Sequence, residues 1–238
     1  MHILGIIFNK FVLYYTRGVG LIEKIKSEKP AAVMFDWAGV LVYDGLRVFE
    51  TANPMEDEYG LMPGTVNSAK DIFWIHLSLG QITEEQFWDS IAERIGTRGD
   101  VPIGGGKTAS IRDYLKIVRR DLLEAHNPYP QSFHLVEMYK RDGIPVGLVT
   151  NNCREWLEIW EEKYGLSEMF DPIVASCNIG RRKPEPEFYM KAMGMLEQRH
   201  GIDVFNMEDR DCILVYDDQE RNVKAADNAG LKGVLYRP

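Results

Sequence analysis

The sequence predicts an α/β fold, a doubly wound, Rossmann-like parallel sheet with a helical domain inserted near its start. Three observations predict it. The apolar run 31–35 has no polar alternation, as expected of a strand buried on both faces of a parallel sheet. After residue 130, helical and strand-like segments alternate, which is typical of βαβ units. Between them, residues 46–126 follow helical spacing and contain no convincing strand. A chain of 238 residues can form such a domain and a smaller insert.

The insert is predicted to be helical throughout, apart from one glycine-rich loop. Apolar residues recur at helical spacing up to Gly80, which ends the first helix. Thr83 and Gln86 match a capping box and open the second helix. An apolar face marks the third. Helices are therefore predicted over 65–79, 83–95 and 110–126, with the loop over 101–106.

The second half of the chain supplies the remaining strands of the predicted sheet, connected by right-handed crossovers. Helices are predicted over 131–142, 155–164, 185–200 and 221–229, and strands over 144–150, 173–175, 212–216 and 232–236. This pattern divides the chain into a core of residues 31–45 and 127–238 and a cap-like insert of residues 46–126.

Residues 1–30 are predicted to form an amphipathic or flexible N-terminal extension. Asn9, Lys10 and Arg17 interrupt its apolar residues, so no uncharged run approaches the roughly 20 residues that a membrane span needs. The segment also lacks the basic start and small-residue cleavage site of a secretory leader. We therefore expect no stable membrane insertion.

Charge and cysteine content limit the compartment and the partners. The formal net charge of −8 disfavours nucleic-acid binding, which needs a basic face. The three cysteines, Cys153, Cys177 and Cys212, form neither a disulfide framework nor a C-x-x-C pair. A reducing cytoplasm is the simplest compartment for such a chain.

Polar residues follow several of the predicted strands, where α/β sheets bind their ligands. Asp36 follows the first strand, Thr150 and Asn151 follow the strand at 144–150, and the pair 217–218 (Asp-Asp) follows the strand at 212–216. Lys183 lies in the loop before the helix at 185–200. An acid at a strand end is often only a helix cap, and Asp218 has that alternative, but four such positions in this order indicate a catalytic site.

These positions lie in four motifs that resemble those of the haloacid dehalogenase-like hydrolase superfamily. The likeness extends from about residue 31 to 238, and the motifs are Phe35–Leu41, Leu148–Asn152, Lys183–Pro186 and Val215–Asn222. The segment from Ser176 to Tyr189 is similar to the subgroup that contains the amino-terminal phosphatase domain of epoxide hydrolases and sugar-phosphate phosphatases. The resemblance implies a cap domain and Mg²⁺-dependent hydrolysis of a small phosphorylated metabolite through an aspartyl-phosphate.

The resemblance assigns the nucleophile and the metal ligands. Asp36 would attack phosphorus, because a carboxylate can form a covalent phosphoryl intermediate. Mg²⁺ would remove the repulsion between this carboxylate and the substrate dianion. Its ligands would be Asp36, Asp217, Asp218 and the backbone carbonyl of Ala38, which is available whatever the side chain.

The resemblance also assigns the groups that hold the phosphoryl oxygens. Lys183 would hold nucleophile and phosphate together as a compact charge. Thr150 and the backbone N–H of Asn151 would bind a phosphoryl oxygen. Asn222 is expected to fix the loop after Asp218 rather than to touch substrate.

Ala38 departs from the pattern of most phosphatases in this superfamily, which carry a second aspartate there. That aspartate acts as a general acid and base, which raises the reaction rate by about 10²–10⁴-fold. Three interpretations stay open: a phosphatase whose leaving group needs little protonation or another acid, a C–P or C–halogen hydrolase, and a non-catalytic relative that binds a phosphorylated ligand or a protein. Phosphonoacetaldehyde hydrolases normally carry alanine here and use a cap lysine, for which Lys70 is the candidate. The pair 217–218 argues for a metal and against metal-free dehalogenation.

Overall fold

The computed structural model describes residues 29–47, 65–95, 101–102, 108–206 and 212–238. Nearly all of the predicted N-terminal extension lies outside them. In chain order, the strands are β1 (Ala32–Phe35), β2 (Val101–Pro102), β3 (Thr108–Ala109), β4 (Val146–Thr150), β5 (Ile173–Ala175), β6 (Ile213–Asp217) and β7 (Lys232–Leu235). The helices are α1 (Thr65–Ser78), α2 (Glu84–Ile95), α3 (Ile111–Ala125), α4 (Pro130–Arg141), α5 (Arg154–Tyr164), α6 (Leu166–Met169), α7 (Ser176–Ile179), α8 (Pro186–His200) and α9 (Glu220–Asn228).

Five of these strands form one parallel sheet in the order β5-β4-β1-β6-β7. The predicted doubly wound fold is therefore confirmed. β1 lies at the centre, where Phe35 is in register with Leu148 of β4 and Tyr216 of β6. The order places the ends of β4, β1 and β6 side by side at one edge of the sheet.

The side chains of β1 explain why its sequence shows no polar alternation. Val33 and Phe35 pack into the hydrophobic cluster that contains side chains of α4 and α5. Ala32 and Met34 point to the opposite face and pack with side chains of α8. All four are fully buried, because helices cover both faces of the sheet.

Most elements agree with the prediction, and the differences are short elements. The insert is not free of strands, because β2 and β3 form an antiparallel pair in which Val101 is in register with Ala109. The prediction of no convincing strand between residues 46 and 126 was wrong here, and so was the predicted loop at residues 101 and 102; its other residues lie outside the described part of the chain. Strands of two residues are too short to show the alternation that identifies a strand in a sequence. The helices α6 and α7 have a single turn each, so they are too short to show helical spacing, and the prediction missed them as well.

The two connections between insert and core run side by side. Val42 and Pro128 form an antiparallel bridge. The N–H of Tyr43 donates to the carbonyl of Asn127 at 2.8 Å, and the N–H of Tyr129 donates to the carbonyl of Leu41 at 2.8 Å. These bonds lie next to the predicted boundaries at 45/46 and 126/127. The division into core and cap stays a prediction.

Among the described residues, no helix is long and apolar enough to span a membrane.

A buried carboxylate, Glu84 at the start of α2, joins the insert to the core. Its Oε1 accepts hydrogen bonds from Trp156 Nε1 of the core helix α5 at 2.6 Å and from Arg119 Nε of α3 at 2.6 Å. Trp88 Nε1 donates to the same oxygen at 3.1 Å. In return, Glu155 of α5 accepts the backbone N–H of Glu84 at 3.0 Å. One carboxylate thus satisfies donors from α2, α3 and α5.

Glu84→Gln is expected to lower the free energy of unfolding by about 1–3 kcal/mol, because the amide cannot accept all of these bonds and leaves Arg119 without its ion pair. Burial alone would raise the pKa of Glu84, but the hydrogen bonds from Arg119, Trp156 and Trp88 outweigh it and lower this pKa below the ordinary 4.5. The carboxylate's contribution is therefore complete above pH 4.5 and declines as the pH falls further.

Urea unfolding at pH 7 and at pH 4 measures both effects. Glu85→Gln is the matched control, since Glu85 is the next residue of α2 and is exposed. An equal loss for the two variants at pH 7 would contradict the role of Glu84. So would a loss that grows as the pH falls below 4.5.

Candidate active site

The residues predicted at the strand ends come together at one edge of the sheet. Asp36 directly follows β1, Thr150 is the last residue of β4, and Asp217 is the last residue of β6. Lys183 enters from the loop between α7 and α8. Its Nζ lies 2.7 Å from Asp36 Oδ2 and 2.7 Å from Asp217 Oδ2. These side chains are all buried.

Three buried carboxylates form a cluster that fits a divalent cation. Asp36, Asp217 and Asp218 each offer an oxygen, and these oxygens lie within 4.8 Å of one another. Gly39 keeps the space beside them open, since a Cβ at this residue would lie 2.6 Å from Asp218 Cγ. Its φ of +83° also favours glycine. Hard oxygen ligands from carboxylates are those that Mg²⁺ prefers.

Burial raises the pKa of Asp36, whereas the neighbouring carboxylates favour the cationic form of Lys183. Burial raises the pKa of Asp36 well above its ordinary value, the charges of Asp217 and Asp218 add to this, and Lys183 opposes it. Burial would lower the pKa of Lys183, but the charges of Asp217 and Asp36 outweigh it and raise this pKa. A cation bound among the carboxylates would favour the ionised form of Asp36.

Asn151 holds the backbone of Lys183, a role that the sequence did not indicate. Its Nδ2 donates to the carbonyl of Lys183 at 2.9 Å, and its Oδ1 accepts the N–H of Lys183 at 2.9 Å. The sequence assigned only the backbone N–H of Asn151, to a phosphoryl oxygen. An amide that pairs with a backbone 32 residues away leaves no local sequence signal.

Asp217 is fixed from three directions, which orients its carboxylate within the cluster. Asn222 Nδ2 donates to both of its oxygens, at 3.0 and 3.1 Å, and the N–H of Gln219 donates to Oδ1 at 2.9 Å. Lys183 supplies the third contact. Asn222 thus orients the carboxylate of Asp217, and its expected role in fixing the loop after Asp218 stays a prediction. Gln219, rather than Asp218, is the N-cap residue of α9, so the alternative in which Asp218 caps this helix does not apply.

Two other residues singled out in the sequence lie apart from these contacts. Lys70 is buried in α1 of the insert, where its Nζ lies 3.1 Å from Asp71 Oδ1. Cys153 precedes α5 and is buried, and burial raises the pKa of its thiol. A buried thiol of this kind fits packing rather than nucleophilic chemistry.

Comparison with known families identifies the class of protein to which this fold belongs. A sequence profile of the haloacid dehalogenase-like hydrolases matches residues 30–230, and the chain belongs to this family. The motifs that carry the resemblance all lie within the matched range.

The similarity to individual proteins is low or covers only part of the chain. The chain is 37% identical over 81 residues to flavin mononucleotide hydrolase 1 of Arabidopsis thaliana, a match that covers 34% of this chain and 29% of that protein. It is 25% identical over 185 residues to phosphoglycolate phosphatase of Aquifex aeolicus, covering 71% of this chain and 78% of the relative. The chain thus spans under a third of the first relative's length.

A solved structure shares the fold. A haloacid dehalogenase family enzyme of Bacteroides thetaiotaomicron, in complex with magnesium and inorganic phosphate, superposes with a TM-score of 0.55 at 20% identity. The superposition covers 87% of this chain and 93% of that chain. At this identity, the likeness supports the fold.

Proposed function

We propose that this protein is a Mg²⁺-dependent hydrolase that acts on a small phosphorylated metabolite through an aspartyl-phosphate at Asp36. The observation that carries the proposal is the contact between Asp36 and Lys183, whose Oδ2 and Nζ are 2.7 Å apart, within the cluster of three carboxylates. A buried carboxylate beside a buried ammonium suits attack on an anionic group that the ammonium also attracts.

In the first step, a carboxylate oxygen of Asp36 bonds to phosphorus, the bond between phosphorus and the leaving oxygen breaks, and a leaving alkoxide takes a proton from solvent. A water molecule then attacks phosphorus and gives up a proton to solvent, while the bond between phosphorus and the Asp36 oxygen breaks, which releases inorganic phosphate and restores the carboxylate. Lys183 holds the nucleophile and a phosphoryl oxygen together throughout. Thr150 and the backbone N–H of Asn151 bind another phosphoryl oxygen.

The chain's own residues support magnesium as the cofactor. Asp36, Asp217, Asp218 and the carbonyl of Ala38 would hold it, because three carboxylates outnumber the single ammonium of Lys183. When bound, the ion neutralises charge on the phosphoryl group. The Bacteroides enzyme was solved with magnesium and phosphate, which supports the same choice here.

The relatives support a phosphatase over the two alternatives left open by Ala38. One relative is named a phosphoglycolate phosphatase and another a flavin mononucleotide hydrolase, and both names describe hydrolysis of a small phosphorylated molecule. The carboxylate cluster favours a metal-dependent reaction over metal-free dehalogenation. A C–P hydrolase would need Lys70, whose Nζ lies next to Asp71.

Cysteine chemistry and net charge support the proposed compartment and substrate class. The three cysteines are free thiols, which supports a reducing cytoplasm. The net charge of −8 supports a small-molecule substrate rather than nucleic acid.

Steady-state hydrolysis of p-nitrophenyl phosphate by the purified protein tests the proposal. Turnover is expected with millimolar Mg²⁺, to vanish in EDTA and to return when Mg²⁺ is added in excess. Turnover that EDTA leaves unchanged would remove the metal from the proposal. Phosphonoacetaldehyde trapped on Lys70 by borohydride would favour the C–P hydrolase, and binding of vanadate without any turnover would favour the non-catalytic relative.

A further inference from the structure

Ser176, the first residue of α7, connects the insert to the loop that follows β4. Its Oγ donates to the carbonyl of Ser78, the last residue of α1 in the insert, at 2.5 Å. The same Oγ accepts the backbone N–H of Asn152 at 3.1 Å. Ser78 and Ser176 are fully buried, and Asn152 is 4% exposed. One hydroxyl therefore joins two backbones that belong to different parts of the fold.

The bond to Asn152 leads to the catalytic residues within two steps. Asn151, its neighbour, forms the two hydrogen bonds with the backbone of Lys183 described above. Lys183 in turn contacts the carboxylate of Asp36. A shift of the Asn152 backbone would therefore displace the residue that sets the position of the ammonium.

The insert packs tightly on α7 next to this hydroxyl. Gly80 lies in the turn after α1 with a φ of +69°, and a Cβ there would lie 2.7 Å from the carbonyl oxygen of Cys177. A second contact lies nearby, since Trp74 of α1 stacks on Trp156 of α5 with ring centroids 5.3 Å apart. Ser176 thus lies at a contact between the insert and the core, where a movement of the insert would shift the backbone of α7.

We propose that Ser176 is a positioning residue that couples the seating of the insert to the placement of Lys183. With the insert seated, the Ser78 carbonyl fixes the Ser176 hydroxyl, which then holds the loop of Asn151 and Asn152 in its catalytic position. With the insert displaced, the hydroxyl loses the Ser78 carbonyl and keeps only the backbone groups of Asn152, whose carbonyl lies 3.4 Å from the Oγ, so the loop is no longer tied to the insert. The placement of Lys183, and with it kcat, is thereby tied to the position of the insert.

Two substitutions remove the coupling in different ways, and two serve as controls. Ser176→Ala removes the hydroxyl, and Ser176→Cys keeps nearly the same volume with a much weaker hydrogen-bonding group. Ser78→Ala removes only a hydroxyl that bonds Ile75 within α1, and it keeps the carbonyl that Ser176 uses. Ser132→Ala removes another fully buried hydroxyl, on α4 of the core.

Hydrogen exchange of the protein without substrate tests the coupling independently of any activity. We expect the amides of Asn152 and of residues 79–81 to exchange about tenfold faster in both Ser176 variants, because each lost hydrogen bond favours local opening to about that extent. The two control variants should match the wild type. Unchanged exchange at residues 79–81 in folded Ser176 variants would overturn the proposal.

Kinetics provide the second test, which rests on the proposed phosphatase function. For p-nitrophenyl phosphate, both Ser176 variants should lose about tenfold in kcat while KM changes less than about twofold, since misplacement of Lys183 weakens transition-state contacts. An equal loss in Ser78→Ala, or an unchanged kcat in folded Ser176 variants, would overturn the coupling. If the wild type shows no turnover, the proposed function fails, and the exchange experiment alone decides the role of Ser176.

Discussion

Asp36→Asn is expected to lower kcat for p-nitrophenyl phosphate by about 10⁴-fold or more, because a neutral amide oxygen is a poor nucleophile and forms no stable phosphoryl intermediate. The substitution is nearly isosteric. Lys183 keeps its 2.7 Å contact with Asp217 Oδ2, so the ammonium stays paired and the fold should be retained. The loss should therefore fall on chemistry rather than on folding.

Acid-quenched intact-protein mass spectrometry during turnover gives a direct readout. The wild type should carry one phosphoryl group and Asp36→Asn none. Asp142→Asn is the control, since Asp142 is an exposed carboxylate at the end of α4. A phosphorylated Asp36→Asn protein, or one that keeps more than about a hundredth of the wild-type kcat, would place the nucleophile elsewhere.

Ala38→Asp is expected to raise kcat/KM for an alkyl phosphate by about 10²-fold or more, because it adds a general acid two residues after the nucleophile. Ala38 is only partly buried, and its backbone pairs with Val42, so a carboxyl can be added without breaking the core. The gain should be larger for glycerol phosphate than for p-nitrophenyl phosphate, because p-nitrophenolate leaves without a proton.

Ala38→Asn separates acid catalysis from the effect of side-chain size. The amide has nearly the shape of the carboxyl group but cannot give up a proton at neutral pH. Equal kcat/KM values for the Asp and Asn variants would show that Ala38 is not the missing acid position. An equal gain for both substrates would show that leaving-group protonation does not limit the first step.

Regular patterns in the sequence predicted most of the fold. The apolar run before Asp36 and the alternating segments after residue 130 were enough for the sheet. The capping box was also correct, since Thr83 and Gln86 bond reciprocally at 2.9 and 3.2 Å. These features depend on residues a few positions apart, which is the range over which local propensity and periodicity act.

The supporting contacts of the site could not be predicted in this way. Asn151 bonds a backbone 32 residues away, and Ser176 bonds one 98 residues away. In the sequence, Glu84 is an ordinary charged residue in the first turn of a helix, yet it is buried and accepts hydrogen bonds from two tryptophans. Such contacts form only when segments far apart in the chain pack together, and no local spacing in the sequence predicts them.

The adjacent connections at Val42 and Pro128 allow the segment between them to vary in length. The chain leaves the sheet and returns to it at neighbouring points, so the core closes the same short gap whatever lies between them. The entropic cost of a longer or shorter insertion rises only slowly with its length. A longer or shorter segment between Val42 and Pro128 is therefore expected to cost the sheet little stability, and the carboxylates that follow β1 and β6 should keep their positions.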